Sequence, residues 1–212
     1  MICLSMIGGT NMKLNLETEE LKTLLPHCKV TDDYVAFFSD KSVFSNGYDC
    51  EFSYDDKSVH SAQQALVYGK ALLLGDYCLA EKVLDTKNTP MAYHNLSNQI
   101  KGDASLWETY RSRVMISILD DKFNDSERLY LLKATGRRKL LLASPYDSIW
   151  GIGAGLSKVD TVWDNYTGRN LLGESLMKVR SLNYKSWPVF TAQTQEADID
   201  NTCASYASLW PY

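Results

Sequence analysis

The longest run of helical periodicity in the chain, DASLWETYRSRVMISILDDKF (Asp103–Phe123), limits the fold most. Leu106, Tyr110, Val114 and Ile118, with Met115 and Leu119 beside them, make a wide apolar stripe, and Asp103 stands where a helix cap belongs. Several shorter segments repeat that period. SVHSAQQALVYGKALLLGD predicts a helix from Ser58, interrupted at Gly75-Asp76, and YCLAEKVLD and TPMAYHNLSNQI predict two more. DSERLYLLKAT brings its own cap and stops at Gly136, and GRNLLGESLMKVRSL is amphipathic with its basic residues late. NLETEELKTLL begins a short helix that Pro26 ends.

Strand signals are fewer. DYVAFFS and SVFSNGYDCEFSYDD are rich in aromatic and β-branched residues and, with Asn46-Gly47 as a turn, read as strands joined by a hairpin or loop. RKLLLA reads as a short extended segment. No internal repeat or dividing linker occurs in the 212 residues, so the expectation is one helix-rich α+β domain, mainly α, with few short strands. Its expected parts are an N-terminal extension with a short helix (1–30), the domain (31–183) and a polar C-terminal tail (184–212), in which Trp210 could act as an anchor.

Composition removes several function classes. A net charge of −4 gives no global attraction to nucleic acid or anionic membrane, so any polyanion site has to be local. Five scattered cysteines without C-x-x-C suit reduced thiols in a cytoplasmic setting better than a disulfide framework or a zinc site. His27, His60 and His94 are far apart in sequence, and no metal is expected. No stretch reaches the roughly 20 apolar residues of a membrane span.

Four constellations could carry chemistry. Gln63, Gln64 and Lys70 share a helix, with 63 and 70 two turns apart on one face, which is either a solvated face or a pocket wall. WETYRSRVM…DDKF joins Trp107, Arg111, Lys122 and Phe123, either as a core helix with charged flanks or as a pocket lining. ASPYDSIWGIG places Asp147 and Trp150 beside Gly151 and Gly153. Such glycines let backbone approach a ligand, and an indole can stack on a base or sugar. Arg169 and Asn170 stand at a helix start, a good place for phosphate and an equally good ordinary helix entry.

Taken in order, FSN (Phe44–Asn46), QQALVYGKA (Gln63–Ala71), LW…R…M…KF (Leu106–Phe123), LLKATG (Leu131–Gly136), DSIWGIG (Asp147–Gly153) and GRNLLGESLMKVR (Gly168–Arg180) resemble the NADAR/YbiA-like family. The resemblance covers about residues 40–183. It implies a compact, mostly helical fold that cleaves N-glycosidic bonds without a cofactor. Some members act on riboflavin-pathway intermediates, and others remove ADP-ribose from guanine bases, reversing a modification of nucleic acid. Carried over, it implies Gln63, Lys70 and Asp147 as catalytic positions. Phe44, Ser45, Asn46, Trp107, Arg111, Lys122, Phe123, Trp150, Gly151, Arg169 and Asn170 would then be substrate-binding positions, with Phe44, Trp107 and Trp150 stacking and Arg111 or Arg169 with Asn170 meeting the pyrophosphate.

The expected partner is the ADP-ribose moiety of a modified guanosine or nucleic acid, with no membrane involved. One departure stands out. The family usually has Glu where this chain has Gln63, and an amide carries neither charge nor a movable proton. Three readings follow: a member that relies on another group, a blunted hydrolase, or a non-catalytic binder of ADP-ribose or NAD derivatives.

Overall fold

Side chains that cap helix starts decide where most of the fold begins. A computed structural model describes residues 16–86 and 89–182. Ser61 accepts from Gln64 N–H at the head of α2 (Ala62–Leu73), and Asp76 from Leu79 N–H at α3 (Tyr77–Leu84). Thr89 caps α4 (Pro90–Gln99), Asp103 caps α5 (Ala104–Lys122) and Asp125 caps α6 (Ser126–Ala134). Each cap contributes about 1 kcal/mol by satisfying an otherwise unpaired N–H. Before these come α1 (Thr18–Leu24), which opens with a Glu17/Glu20 capping box, then β1 (Cys28–Val30), β2 (Tyr34–Phe37), β3 (Phe52–Tyr54) and β4 (Lys57–Val59). After α6 come β5 (Lys139–Leu142), α7 (Val159–Val162) and α8 (Leu171–Ser181).

Two small sheets serve these helices. β3 and β4 form a hairpin, and a three-stranded sheet runs β1-β2-β5. β2 lies antiparallel to β1 and parallel to β5, with Tyr34 opposite Lys139 and Phe37 opposite Leu142. β2 is buried on both faces. Val35 and Phe37 join a core with α1, α5, α6 and α8, while Tyr34 and Ala36 join a smaller one with Ile152 and Val159. A third core holds α2, α3 and α4 against the hairpin. α5 serves two of these cores, giving Met115, Ile116, Leu119 and its C-cap Phe123 to the first and Val114 and Ile118 to the third. Its apolar surface is therefore wider than one stripe, and Arg111, Ser117 and Lys122 are buried with it.

The architecture is mainly α with few short strands. Three details differ from the sequence expectation. The hairpin turns at Asp55-Asp56, both left-handed (φ 52° and 56°), while the expected turn at Asn46-Gly47 forms in the loop between β2 and β3, where Tyr48 N–H donates to Ser45 O at 3.3 Å. Two-residue hairpins favour positive φ at both central positions, which aspartate tolerates. Residues 57–59 are strand, so α2 starts at Ala62 rather than Ser58. β1 and α7, too short to show a period, were not expected at all. The N-terminal stretch before residue 16, Cys3, Cys203, Trp210 and the polar tail lie outside the described residues.

Candidate active site

β2 and β5 run parallel, and the chain leaves both at the same end, a place where α/β sheets commonly bind ligands. A cleft of about 520 Å³ opens there. One wall consists of the loop after β2, one face of α2 (Gln63, Leu66, Val67) and one face of α4 (Tyr93, His94, Ser97). The other consists of Asp147 and Trp150, with Leu142 at the end of β5 and Leu172 at the start of α8. Phe38, Asp40, Ser45, Asn46 and Gly47 come from the loop.

The first wall is locked by backbone. Gln63 N–H donates to Asn46 O at 2.8 Å, tying the loop to the first turn of α2. Lys122, fully buried, donates to Ser45 O at 2.8 Å, with its ammonium 5.5 Å from the Tyr48 and Phe123 rings. Burial pushes the Lys122 ammonium down to about 8. Gln64 is an anchor rather than a cleft residue. Its Oε1 accepts from His60 N–H and its Nε2 donates to Val83 O and Leu84 O. Asn46 Oδ1 is buried on the cleft wall without a hydrogen-bond partner among the described residues.

Lys70 stands one turn beyond Val67. Its Nζ donates to Ser97 O at 2.9 Å and to Ser97 Oγ at 3.3 Å, and lies 5.8 Å from the Trp107 ring. Burial lowers its pKa, the direction a nucleophilic amine requires. Ser97 lines the cleft and Lys70 does not, so the amine sits one side chain behind the wall.

The second wall is a self-braced turn. Asp147 Oδ1 accepts from Ile149 N–H at 2.9 Å and Trp150 N–H at 2.8 Å. Gly151 is required by crowding, since a Cβ there would lie 2.8 Å from both Asp147 O and Leu142 O. The turn then presents its carbonyls to the head of α8. Leu171 N–H donates to Ile149 O and Leu172 N–H to Trp150 O, both at 3.1 Å. The helix start that the sequence offers to a phosphate is thus met by the chain itself. Asn170 is fully buried in the left-handed region (φ 49°), bridging Leu140 O and Leu142 N–H through its amide. Arg169 is exposed and does not line the cleft.

The structure therefore brings Gln63, Asp147, Trp150, Ser45 and Asn46 onto one cleft, with Lys70 behind Ser97. It does not bring Phe44, Phe123, Trp107, Arg111, Lys122 or Asn170 there. Phe44 has no exposed surface and packs between Phe37 and Phe123 at ring distances of 5.7 and 6.3 Å, so Phe38, 44% exposed, supplies the aromatic face instead. Trp107 packs on the third core. Arg111 is buried and holds Glu108 through two bonds of 3.1 Å. Asp40, Tyr93, His94 and Ser97 are cleft residues that sequence reading missed. The last three recur on one face of α4, a signal readable only once α4 is known to face α2. Among the described residues no group of three His, Cys, Asp or Glu side chains could hold a metal ion, and no helix is long and apolar enough to cross a membrane.

A helix-rich α+β domain with a cleft beside two parallel strand ends is the class this fold and site define. The chain belongs to the NADAR domain family, which matches residues 34–182. It is 34% identical over 174 residues to Protein irg-1 of Caenorhabditis elegans, covering 71% of this chain and 79% of that protein. It is also 32% identical over 127 residues to N-glycosidase R617 of Acanthamoeba polyphaga mimivirus, covering 58% and 74%. The NMR structure of the E. coli protein YbiA shares the fold, with a TM-score of 0.57 at 24% identity over 73% of this chain and 86% of that one.

Proposed function

We infer that this protein is an N-glycosidase that removes ADP-ribose from guanine bases of nucleic acid. The observation that carries this reading is the convergence of Gln63, Asp147 and Trp150 on one 520 Å³ cleft, a volume within the range of small-ligand sites. Family membership and the name of the mimivirus relative support the bond class. The unpartnered Asn46 Oδ1 supports a ligand that brings an N–H or O–H to the wall. Phe38 and Trp150 offer faces for a base or sugar to lie against. Because Lys70 is held on Ser97, direct attack by water needs no rearrangement, whereas a Schiff base between Lys70 and a ring-opened ribose first requires the amine to leave Ser97.

Chromatography of ADP-ribosylated guanosine incubated with the wild type and with Gln63→Glu tests the reading, with riboflavin-pathway intermediates as control substrates. Release of ADP-ribose by either protein is the expected result. A gain of about 100-fold in Gln63→Glu, the scale of acid–base catalysis, would mean that the wild-type cleft lacks the carboxylate the reaction uses. One observation favours a second reading, a non-catalytic binder: Gln63 brings no charge to the cleft. Tight binding without product from both proteins would establish it.

A further inference from the structure

Breaking a bond between a sugar and a nitrogen heterocycle puts positive charge on the sugar, and the attacking water must lose a proton. A carboxylate answers both needs, and Gln63 has none. Among the described residues the cleft is lined by two carboxylates, Asp40 and Asp147. Asp147 has one oxygen committed to two backbone N–H groups that hold the Trp150 turn.

Asp40 is in a different position. It is exposed at the cleft, and its carboxylate accepts no hydrogen bond from the described residues. Its backbone lies in a turn closed by Ser42 N–H to Ser39 O at 3.1 Å, so its place on the rim is set. It is also close to Gln63. A methyl group built on Gly47 would come 3.5 Å from Asp40 Cβ and 3.7 Å from Gln63 Oε1. Those two atoms are therefore no farther apart than the two lengths laid end to end, and both side chains border the same part of the cleft.

We propose that Asp40 is a catalytic residue that supplies, from the loop after β2, the carboxylate absent at position 63. The proposal rests on the N-glycosidase reading. Asp40 takes a proton from a water molecule, whose oxygen bonds to the anomeric carbon as the carbon–nitrogen bond breaks. The bonding pair leaves with the heterocycle nitrogen, which receives the proton back from Asp40. One water is consumed and no other reactant is needed.

The test compares wild type, Asp40→Asn, Gln63→Glu and the double variant in single-turnover cleavage of ADP-ribosylated guanosine, with ADP-ribose binding and thermal melting measured alongside. Asp40→Asn is expected to slow cleavage about 100-fold, with ADP-ribose affinity within about threefold of wild type and an unchanged melt. Adding Gln63→Glu to Asp40→Asn is expected to restore most of the loss, which a merely structural role for Asp40 would not allow. Cleavage by Asp40→Asn within about threefold of wild type overturns the proposal, as does a loss that Glu at position 63 fails to rescue. A silent wild type beside an active Gln63→Glu also overturns it while leaving the N-glycosidase reading intact. Silence of both removes that reading and the proposal together.

Discussion

The two walls of the cleft are built on opposite plans. The wall of Asp147, Trp150 and the α8 start carries the most distinctive sequence words, D-S-I-W-G-I-G and G-R-N-L-L-G, yet its polar groups brace one another. Asp147 holds its own turn, that turn's carbonyls hold α8, and Asn170 fastens α8 to β5. The wall of the β2 loop, α2 and α4 has plainer sequence, yet it turns Gln63, Asp40, Asn46 and His94 toward the cleft. A memorable motif can thus encode a scaffold while the reactive groups stand across from it.

Substitutions should separate the walls, and the largest effect belongs to the braced one. A Cβ at Gly173 would lie 2.0 Å from Leu140 O, so Gly173→Ala should cost more than about 3 kcal/mol in urea unfolding. A stable variant would show that this wall has slack and break the comparison. Asn170→Ala leaves a buried carbonyl and a half-buried N–H unpaired and puts alanine in the left-handed region, for about 3 kcal/mol. Asn170→Gly should recover about 1 kcal/mol of that by relieving the backbone alone.

A smaller effect is expected behind the opposite wall, and it depends on pH. Burial lowers Lys122 from 10.5 to about 8, so the unfolded chain holds this proton more tightly than the native one. The penalty is full below pH 8 and fades as pH rises from 8 toward 10.5. Lys122→Met removes the titration. Between pH 7 and 9.5 the stability difference between the two proteins should therefore move about 2 kcal/mol in favour of wild type. A constant difference would mean that the Ser45 loop is not held by a titrating ammonium. The smallest effect is expected at His94, exposed on α4, where His94→Ala should change stability by less than about 0.5 kcal/mol. A larger loss would mean that this wall, too, is braced through its side chains.

Much of the helical frame was legible in the sequence because caps and apolar spacing are local. Asp76, Asp103 and Asp125 cap helices near where the pattern alone begins them. The hairpin was less legible: Asn46-Gly47 does turn, but in the loop after β2, and the pairing of Phe52–Tyr54 with Lys57–Val59 places the hairpin turn at Asp55-Asp56. The site was legible only in part. Gln63, Asp147 and Trp150 are on the cleft, but strand alternation in AFFS sends Phe37 inward and Phe38 outward, and Phe44 falls into the core. Tyr93, His94 and Ser97 matter through the packing of α4 beside α2, which no single stretch of sequence encodes.

The parallel pairing of β2 with β5 also sets an order of assembly. Tyr34 and Lys139 meet across about a hundred intervening residues, so this contact must wait for a long stretch of chain to be made and to close. The bundle of α2, α3 and α4 relies on neighbours close in sequence and can gather first. A nascent chain that ends before Leu142 therefore already owns one bank of the hollow, and the opposite bank waits for β5 and α8.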